Sequence, residues 1–307
     1  MSDWPDALRV NPEIEAAARS ALETTCERMR LSAEETAALV PPVLGLASWL
    51  VQVLPKPAVV GLAGSQGSGK STIAELLEVT LTEAQSLCVA RLSIDDFYLT
   101  RAERVALGRD VHPLLQTRGV AGTHEMTLMG EVIDGLRHGD TVSTPRFDKA
   151  VDDRQPDFEH IQGPVDVVIV EGWCVGARPE SEATLADPIN VLESGEDPDG
   201  AWRAHVNARL QDDDYRRVFD GFDRFIFLQV PGMDAVFNWR LRQEDMLRAT
   251  AGDKSGVMDA DGVRRFIMHY ERTTRNMLAE LPDVADVVLR LNDSHEIESA
   301  GVLGTGA

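Results

Sequence analysis

The sequence predicts an α/β fold in which a parallel central sheet lies between two layers of helices, with a helical extension at the N-terminus. Nearly continuous apolar runs, typical of strands that are buried on both faces, alternate with amphipathic helical segments. A glycine-rich turn joins the first apolar run to the helix after it, and Pro55 and Pro57 separate this alternating part from the helical region before it.

Residues 1–54 are expected to form the helical extension. Glu13–Arg30 is rich in Ala, Glu and Arg, with apolar residues at helical spacing. Ser32, followed three residues later by Glu35, predicts a capping box at the start of a second helix. The pair Pro41-Pro42 should interrupt that helix, so that Val43–Val53 forms a third, short one. This region contains no motif that suggests chemistry.

Residues 55–307 are expected to form the main domain. The predicted strands are Ala58–Ala63, Leu87–Ser93, Val165–Val170, Arg224–Val230 and Ala285–Leu291. The predicted helices are Lys70–Thr82, Met126–Arg137, Met233–Thr250 and Asp261–Leu281. The interval 100–163 is polar and has few strand signals, and loops of this length inside a compact domain tend to be functional.

The charge and the cysteines limit the classes of partner and compartment. A formal net charge of −21 should repel nucleic acid and anionic membranes, so a phosphate site must be locally positive. The three separate cysteines, Cys26, Cys88 and Cys174, are expected to be small buried side chains in a reducing compartment. There is no signal-peptide pattern and no uninterrupted run of 18 apolar residues, so a cytoplasmic protein without a membrane span is expected.

Residues 64–72 contain the phosphate-binding pattern G-x-x-x-x-G-K-[ST], which ends at Ser71. The glycines let backbone N–H groups surround phosphates, and the next helix presents its positive N-terminal end to them. Lys70 is expected to reach the β- and γ-phosphates, and the Ser71 hydroxyl to bind Mg²⁺. The predicted nucleotide-binding set is Gly64, Ser65, Gln66, Gly67, Ser68, Gly69, Lys70, Ser71 and Thr72. The motif makes the predicted fold a P-loop NTPase three-layer sandwich.

The strand Val165–Val170 runs directly into Glu171. An acid at the carboxyl end of a parallel strand faces the ligand crevice, so Glu171 is predicted to contact Mg²⁺ directly or through water. The alternative is a carboxylate that caps the following loop. The N-K-x-D and D-x-x-G patterns of a GTPase and the LSGGQ-like signature of a transport ATPase do not occur in the expected places.

Two adjacent acids, Asp95 and Asp96, follow the second predicted strand. Phosphorylation of a hydroxyl group benefits from a carboxylate that accepts or orients its proton near the γ-phosphate. Asp95 is predicted to do this and to lie near the metal ion; the alternative is an Asp-Asp turn that caps the next segment. Together with Lys70 and Glu171, these residues predict a kinase that uses ATP and Mg²⁺ to phosphorylate a small metabolite.

The P-loop, the S-x-D-x-F-Y pattern of Ser93–Tyr98 and the strand that ends in Glu171-Gly172 resemble the phosphoribulokinase, uridine kinase and pantothenate kinase superfamily. More narrowly, residues 58–250 resemble D-glycerate 3-kinases of the plant and fungal type and their bacterial relatives. The shared stretches are Ser93–Thr100, Leu115–His124, Pro145–Lys149 with Asp153-Arg154, Val170–Trp173 and Trp239–Glu244. The resemblance implies that Asp95 is the catalytic base and D-glycerate the acceptor. Glu125 departs from it, since Asp is expected there.

A small carboxylate acceptor needs a positive clamp. Within the interval 100–163 the predicted acceptor-binding cations are Arg118, His124, Arg146, Lys149 and Arg154, with Asp96 and Tyr98 assigned to the same site. The alternative is ordinary surface charge paired with Asp148, Asp152 and Asp153.

The helix predicted within residues 231–250 is interpreted as a lid that closes Arg240 and Arg242 over the transferring phosphate. The alternative is a solvated helix on which Glu244 and Asp245 neutralise the arginines. Two other functions remain open: the same chemistry on a nucleoside, pantothenate or another polyol acid, and a regulatory NTP-binding protein whose N-terminal helices dock a partner. The oligomeric state is also open, with a homodimer among the options.

Overall fold

The computed structural model describes residues 4–251 and 257–303. Within these residues the six-stranded central sheet has the order β10-β9-β8-β1-β7-β2, and two short antiparallel ribbons pair β3 with β6 and β4 with β5. The strands are β1 (Ala58–Gly64), β2 (Val89–Ser93), β3 (Val142–Thr144), β4 (Phe147–Asp148), β5 (Asp153–Arg154), β6 (Glu159–Ile161), β7 (Val167–Gly172), β8 (Arg224–Gln229), β9 (Val287–Leu291) and β10 (Ile297–Val302).

The five predicted strands are all present and pair in parallel, which confirms this part of the prediction. The sheet is not parallel throughout, because β10 pairs antiparallel with β9 at the edge. Sequence reasoning missed β10 because it is an incompletely buried edge strand without a continuous apolar run.

Eleven α-helices are described in these residues. They are α1 (Pro12–Arg28), α2 (Ala33–Val53), α3 (Lys70–Gln85), α4 (Arg101–Asp110), α5 (Met126–His138), α6 (Glu182–Leu185), α7 (Val191–Glu196), α8 (Ala201–Arg209), α9 (Asp213–Phe219), α10 (Met233–Ala251) and α11 (Ala260–Glu280). The four helices predicted after residue 55 correspond to α3, α5, α10 and α11. The interval 100–163 also contains α4 and the two ribbons, which were not predicted.

The strands separate two apolar cores, because successive side chains of a strand point to opposite faces of the sheet. Val60 and Leu62 of β1 lie in the core that is shared with α1, α2, α3 and α10. Val59 and Ala63 lie in the opposite core, which is shared with α5, α8 and α9. This arrangement is the predicted three-layer sandwich.

The pair Pro41-Pro42 does not interrupt the second helix, so the prediction of a separate third helix is wrong. The capping box starts α2 as predicted: the Ser32 hydroxyl accepts from the Glu35 N–H, and the Glu35 carboxylate accepts from the Ser32 N–H. The helix then continues through both prolines to Val53. An interior proline costs about 3 kcal/mol, but each fully buried Leu or Val returns about 1.5–3 kcal/mol, and residues 42–50 are all buried.

By its length and its mean hydropathy of 1.5, α2 could cross a membrane, a property that the search for uninterrupted apolar runs did not detect. Its apolar residues are buried in the same core as those of β1 and α3. Its Gly45 lies so close to Leu8 that a Cβ would come within 2.4 Å of the Leu8 carbonyl oxygen. The helix therefore packs as a core helix of this domain, and the boundary at residue 54 separates two sequence patterns rather than two cores.

The cysteines differ in exposure. Cys26 and Cys174 are buried as predicted, whereas Cys88 is exposed, because it lies just before β2 at the rim of the sheet. All three thiols are free.

Candidate active site

The loop of residues 64–69 joins β1 to α3 at the carboxyl edge of the sheet. Gly67 and Gly69 adopt φ values of 79° and 85°, in the left-handed region where a side chain would be strained. A Cβ on Gly64 would come within 2.5 Å of the Ser68 hydroxyl oxygen. The loop ends where α3 begins at Lys70, so its amides and the helix N-terminus can face the same anion.

Two residues that sequence reasoning missed pack on this loop. The His295 Nε2 lies 2.6 Å from the Gly67 carbonyl oxygen and must donate its proton to it. The Trp239 ring stands edge-on to His295 at 4.6 Å, and a Cβ on Gly67 would lie 3.1 Å from the Trp239 Cβ. Burial lowers the pKa of His295 below its usual value. The turn between β9 and β10 and the helix α10 thus hold the loop from outside.

Ser71 and Glu171 come together because β1 and β7 are neighbouring parallel strands. The Ser71 hydroxyl donates to Glu171 Oε1 at 3.0 Å. Glu171 is 5% exposed, and its buried Oε2 has no hydrogen-bond partner among the described residues. A buried, unpaired carboxylate oxygen is costly, so this pair suits a cation.

The same pair fits the small number of protein ligands that Mg²⁺ usually takes, because waters and substrate phosphates complete its coordination. No group of three or more His, Cys, Asp or Glu residues that could hold a metal by itself occurs in the part of the chain that the structure describes.

Asp95 lies in the short turn after β2, beside the end of β7. Its Oδ1 accepts from the Tyr98 hydroxyl at 2.7 Å, and its Oδ2 accepts from the Lys149 ammonium at 2.6 Å. Burial alone would raise the pKa of Asp95. The charges of Lys149 and Lys70 and the two hydrogen bonds outweigh burial and lower this pKa to about 2. Asp95 is therefore a charged carboxylate close to the P-loop lysine.

The neighbouring Asp96 has a different environment. It accepts from the Arg146 guanidinium at 2.5 Å and from the Phe147 N–H at 3.1 Å, and Arg146 also pairs with Glu159. Asp96 and Arg146 thus attach the β4–β5 ribbon to the turn that carries Asp95. This pairing favours a positioning role for both, while their contact with the acceptor stays a prediction.

Arg154 also binds this turn. Its guanidinium donates to the carbonyl oxygens of Tyr98 (2.7 Å) and Phe97 (3.3 Å) and pairs with Glu125 at 2.6 Å. Glu125, the residue that departs from the family pattern, is thus the carboxylate partner of Arg154. This geometry favours a positioning role for Arg154 over a direct acceptor contact.

Lys149 is the most exposed cation of the predicted clamp, with a side chain 60% exposed, against 33% for Arg146 and 26% for Arg118. Arg118 pairs with Asp152 and lies over the Phe147 ring at 5.4 Å. Sequence reasoning missed the buried Arg104, which pairs with Asp152 at 3.1 Å and donates to three carbonyl oxygens. Arg104 is the internal support of this loop, and no sequence pattern marks it.

His124 is buried behind Tyr98. The two rings stack at 4.9 Å, and the His124 Nδ1 lies 2.9 Å from the Tyr215 hydroxyl oxygen. Burial lowers the pKa of His124 to about 4, so its ring is neutral near pH 7. Its Nε2 is buried and has no partner among the described residues.

The two arginines of the predicted lid point in different directions. Arg240 pairs with the buried Glu244 and lies 5.2 Å over the Phe266 ring, toward α11. Arg242 is exposed, and its charge contributes after burial to the lowered pKa of His295 beside the P-loop. Arg240 also donates to Gln243 at 3.1 Å, and the Gln243 amide would lie 3.6 Å from a Cβ on Gly67, so the helix brings both arginines near the P-loop.

The chain is similar to known kinases in sequence and in overall fold. The model of the "Phosphoribulokinase / Uridine kinase family" matches residues 59–178. The uncharacterized kinase mug58 of Schizosaccharomyces pombe is 34% identical over 228 residues, which cover 70% of this chain and 79% of that protein. The chloroplastic D-glycerate 3-kinase of Arabidopsis thaliana is 29% identical over 250 residues, which cover 75% of this chain but only 50% of that protein.

Among solved structures, the D-glycerate 3-kinase from Cryptococcus neoformans superposes with a TM-score of 0.70 at 26% identity. The superposition covers 95% of this chain and all of that one.

Proposed function

Because the chain belongs to the phosphoribulokinase/uridine kinase family of P-loop kinases, we propose that it transfers the γ-phosphate of ATP to a hydroxyl group of a small hydroxy acid, most specifically D-glycerate. The relatives described as D-glycerate 3-kinases support this choice of acceptor. The single observation that carries the proposal is the charged Asp95 beside the P-loop lysine. A protein that only binds NTP has no use for a hydroxyl-orienting carboxylate there.

Asp95 orients the acceptor. While Lys149 is bound, the pKa of Asp95 is about 2, so Asp95 is already ionised when the acceptor arrives; it accepts the O–H of the acceptor and takes the proton as the new O–P bond forms. In the structure Lys149 occupies Asp95 Oδ2. The acceptor hydroxyl replaces Lys149 at this oxygen, and the released ammonium binds the acceptor carboxylate.

The acceptor carboxylate faces the cations that remain accessible. Arg118 offers a planar guanidinium that Phe147 and Asp152 hold in place, and Lys149 offers a mobile ammonium. These local charges offset the repulsion that a chain of net charge −21 exerts on an anionic acceptor.

The donor site consists of the P-loop amides and Lys70, which neutralise the phosphates. Ser71 and Glu171 would hold Mg²⁺, with Asp95 near it, and the ion would stabilise the charge on the transferring phosphoryl group. The chain itself binds the phosphates, positions the acceptor and accepts its proton.

The test is ADP formation from Mg-ATP with a panel of acceptors: D-glycerate, L-glycerate, pantothenate and uridine. We expect turnover with D-glycerate and a loss of at least about 100-fold in kcat for Asp95→Asn, with ATP affinity retained. Asp110→Asn is the matched control, because Asp110 is exposed and pairs only with Arg109 among the described residues.

If pantothenate or uridine is turned over faster than D-glycerate, the proposed acceptor is wrong, while the proposed phosphoryl transfer to a hydroxyl group stands. Full activity of Asp95→Asn would remove Asp95 from the mechanism. ADP formation that no acceptor accelerates would favour a regulatory NTP-binding protein.

A further inference from the structure

We infer that Tyr215 fixes His124 in the tautomer that carries its proton on Nε2, so that His124 presents a neutral hydrogen-bond donor to an oxygen of the acceptor other than the one that is phosphorylated. The role toward the acceptor rests on the proposed function. The tautomer itself does not.

The tautomer follows from the hydrogen bonds of the Tyr215 hydroxyl. The Gly122 N–H donates to the Tyr215 oxygen at 2.8 Å, which occupies one of its acceptor positions. The hydroxyl proton then needs an acceptor, and among the described residues the His124 Nδ1, at 2.9 Å, is the one within reach. If Nδ1 carried the proton instead, the buried Tyr215 O–H would have no acceptor, which is costly.

Tyr215 is well placed to impose this choice. It is fully buried, and its ring packs edge-on against Phe219 at 5.7 Å. The backbone on both sides of His124 is also fixed: Leu99 N–H donates to the Thr123 carbonyl and Glu125 N–H to the Phe97 carbonyl. The main chain that carries the ring is therefore held in place, and burial and the stack on Tyr98 confine the ring itself.

A neutral ring whose Nδ1 accepts must carry its proton on Nε2. This N–H is buried and has no partner among the described residues, while His124 is only 3% exposed. A buried donor without an acceptor is unfavourable, so the arrangement is completed by an oxygen that arrives with a ligand. His124 stacks on Tyr98, and the Tyr98 hydroxyl donates to Asp95. The His124 ring is therefore separated from the reacting carboxylate by the Tyr98 side chain alone.

The first test is the nitrogen-15 NMR signature of the histidine rings in the full chain. The signal of His124 is the one that disappears in His124→Gln. In the wild type at pH 7 we expect the Nε2–H tautomer, and in Tyr215→Phe a shift toward Nδ1–H. Tyr270→Phe is the matched control, because it removes another buried hydroxyl, which donates to the Arg118 carbonyl, and should leave the tautomer unchanged.

The second test is kinetic. We expect Tyr215→Phe to raise the KM for the acceptor about tenfold, as the weakening of one hydrogen bond does, with the KM for ATP unchanged. His124→Gln can place an amide N–H near the position of Nε2 and should lose less than His124→Asn, which cannot reach it.

A wild-type Nδ1–H tautomer, or a tautomer that Tyr215→Phe leaves unchanged, would overturn the inference. So would an acceptor KM that His124→Asn does not alter. If no acceptor is phosphorylated at all, the proposed function fails, while the NMR result still decides whether Tyr215 sets the tautomer. Circular dichroism of each variant separates these outcomes from a loss of folding.

Discussion

Lys149 sets the pKa of Asp95, the reacting carboxylate, before the acceptor binds. Its charge is the largest single influence that lowers the pKa of Asp95 against burial. We expect Lys149→Met to raise this pKa above about 2 and so to move the acid limb of kcat/KM to higher pH. The acceptor KM should also rise, because a cation of the clamp is lost. The measurement is a pH profile of kcat/KM for the acceptor.

Lys56→Met is the control for this prediction, because Lys56 is an exposed lysine before β1. A profile of Lys149→Met that coincides with that of the control would contradict the assignment of Lys149 to the site.

His124 should make stability depend on pH. Burial lowers its pKa from the usual 6.5 to about 4, so the unfolded chain binds a proton more readily between these values. By linkage, stability then rises with pH across this window, and up to about 3 kcal/mol is lost as the pH falls from 6.5 to 4. Thermal unfolding at several pH values should show a shallower dependence for His124→Gln than for wild type.

The exposed His138 provides the matched control, since His138→Gln should leave the wild-type slope intact. Equal slopes for His124→Gln and wild type would mean that the imidazole is not neutral and buried in solution.

At the scale of the elements, α2 carries a cost that a substitution can remove. Pro41 lies inside the helix and leaves the Ala37 carbonyl without its usual N–H partner. We expect Pro41→Ala to stabilise the protein by about 1–2 kcal/mol, because the restored hydrogen bond exceeds the entropy that the proline removes from the unfolded chain. A denaturant titration measures the change, and a lower unfolding midpoint would contradict the account.

Elements with a strong local pattern were predictable from the sequence. The five parallel strands and the P-loop, with its lysine and serine, depend on apolar runs and on a motif of eight consecutive residues. The continuous helix through Pro41-Pro42 was not predictable, because burial in the shared core outweighs local propensity. The edge strand β10 was missed because it is only partly buried.

Much of the candidate site depends on contacts between distant parts of the chain. His295 binds a carbonyl 228 positions away, and Tyr215 binds His124 across 91 positions. No local pattern marks such residues. Likewise, the sequence identifies Arg146 and Arg154 as candidate acceptor-binding cations, but their partners are visible only in the structure. Arg146 pairs with two carboxylates, and Arg154 pairs with one carboxylate and donates to a carbonyl oxygen.

At the scale of the whole molecule, the excess of negative charge sets a salt dependence. With 51 acidic and 30 basic residues, the folded chain repels itself more strongly than the expanded unfolded chain does. Raising the ionic strength from about 0.01 M to about 0.15 M shortens the Debye length from about 30 Å to about 8 Å. We expect the Tm to rise over this range. A Tm that falls would show that screened ion pairs outweigh the self-repulsion.

The most direct measurement of the central claim follows the phosphoryl group itself. The enzyme is incubated with Mg-ATP labelled in the γ-phosphate and with D-glycerate, and the products are separated. The account predicts that the label appears in phosphorylated glycerate and that Asp95→Asn abolishes this transfer while it still binds ATP. Label found only in inorganic phosphate, at a rate that the acceptor does not change, would contradict the claim that this chain is a small-molecule kinase.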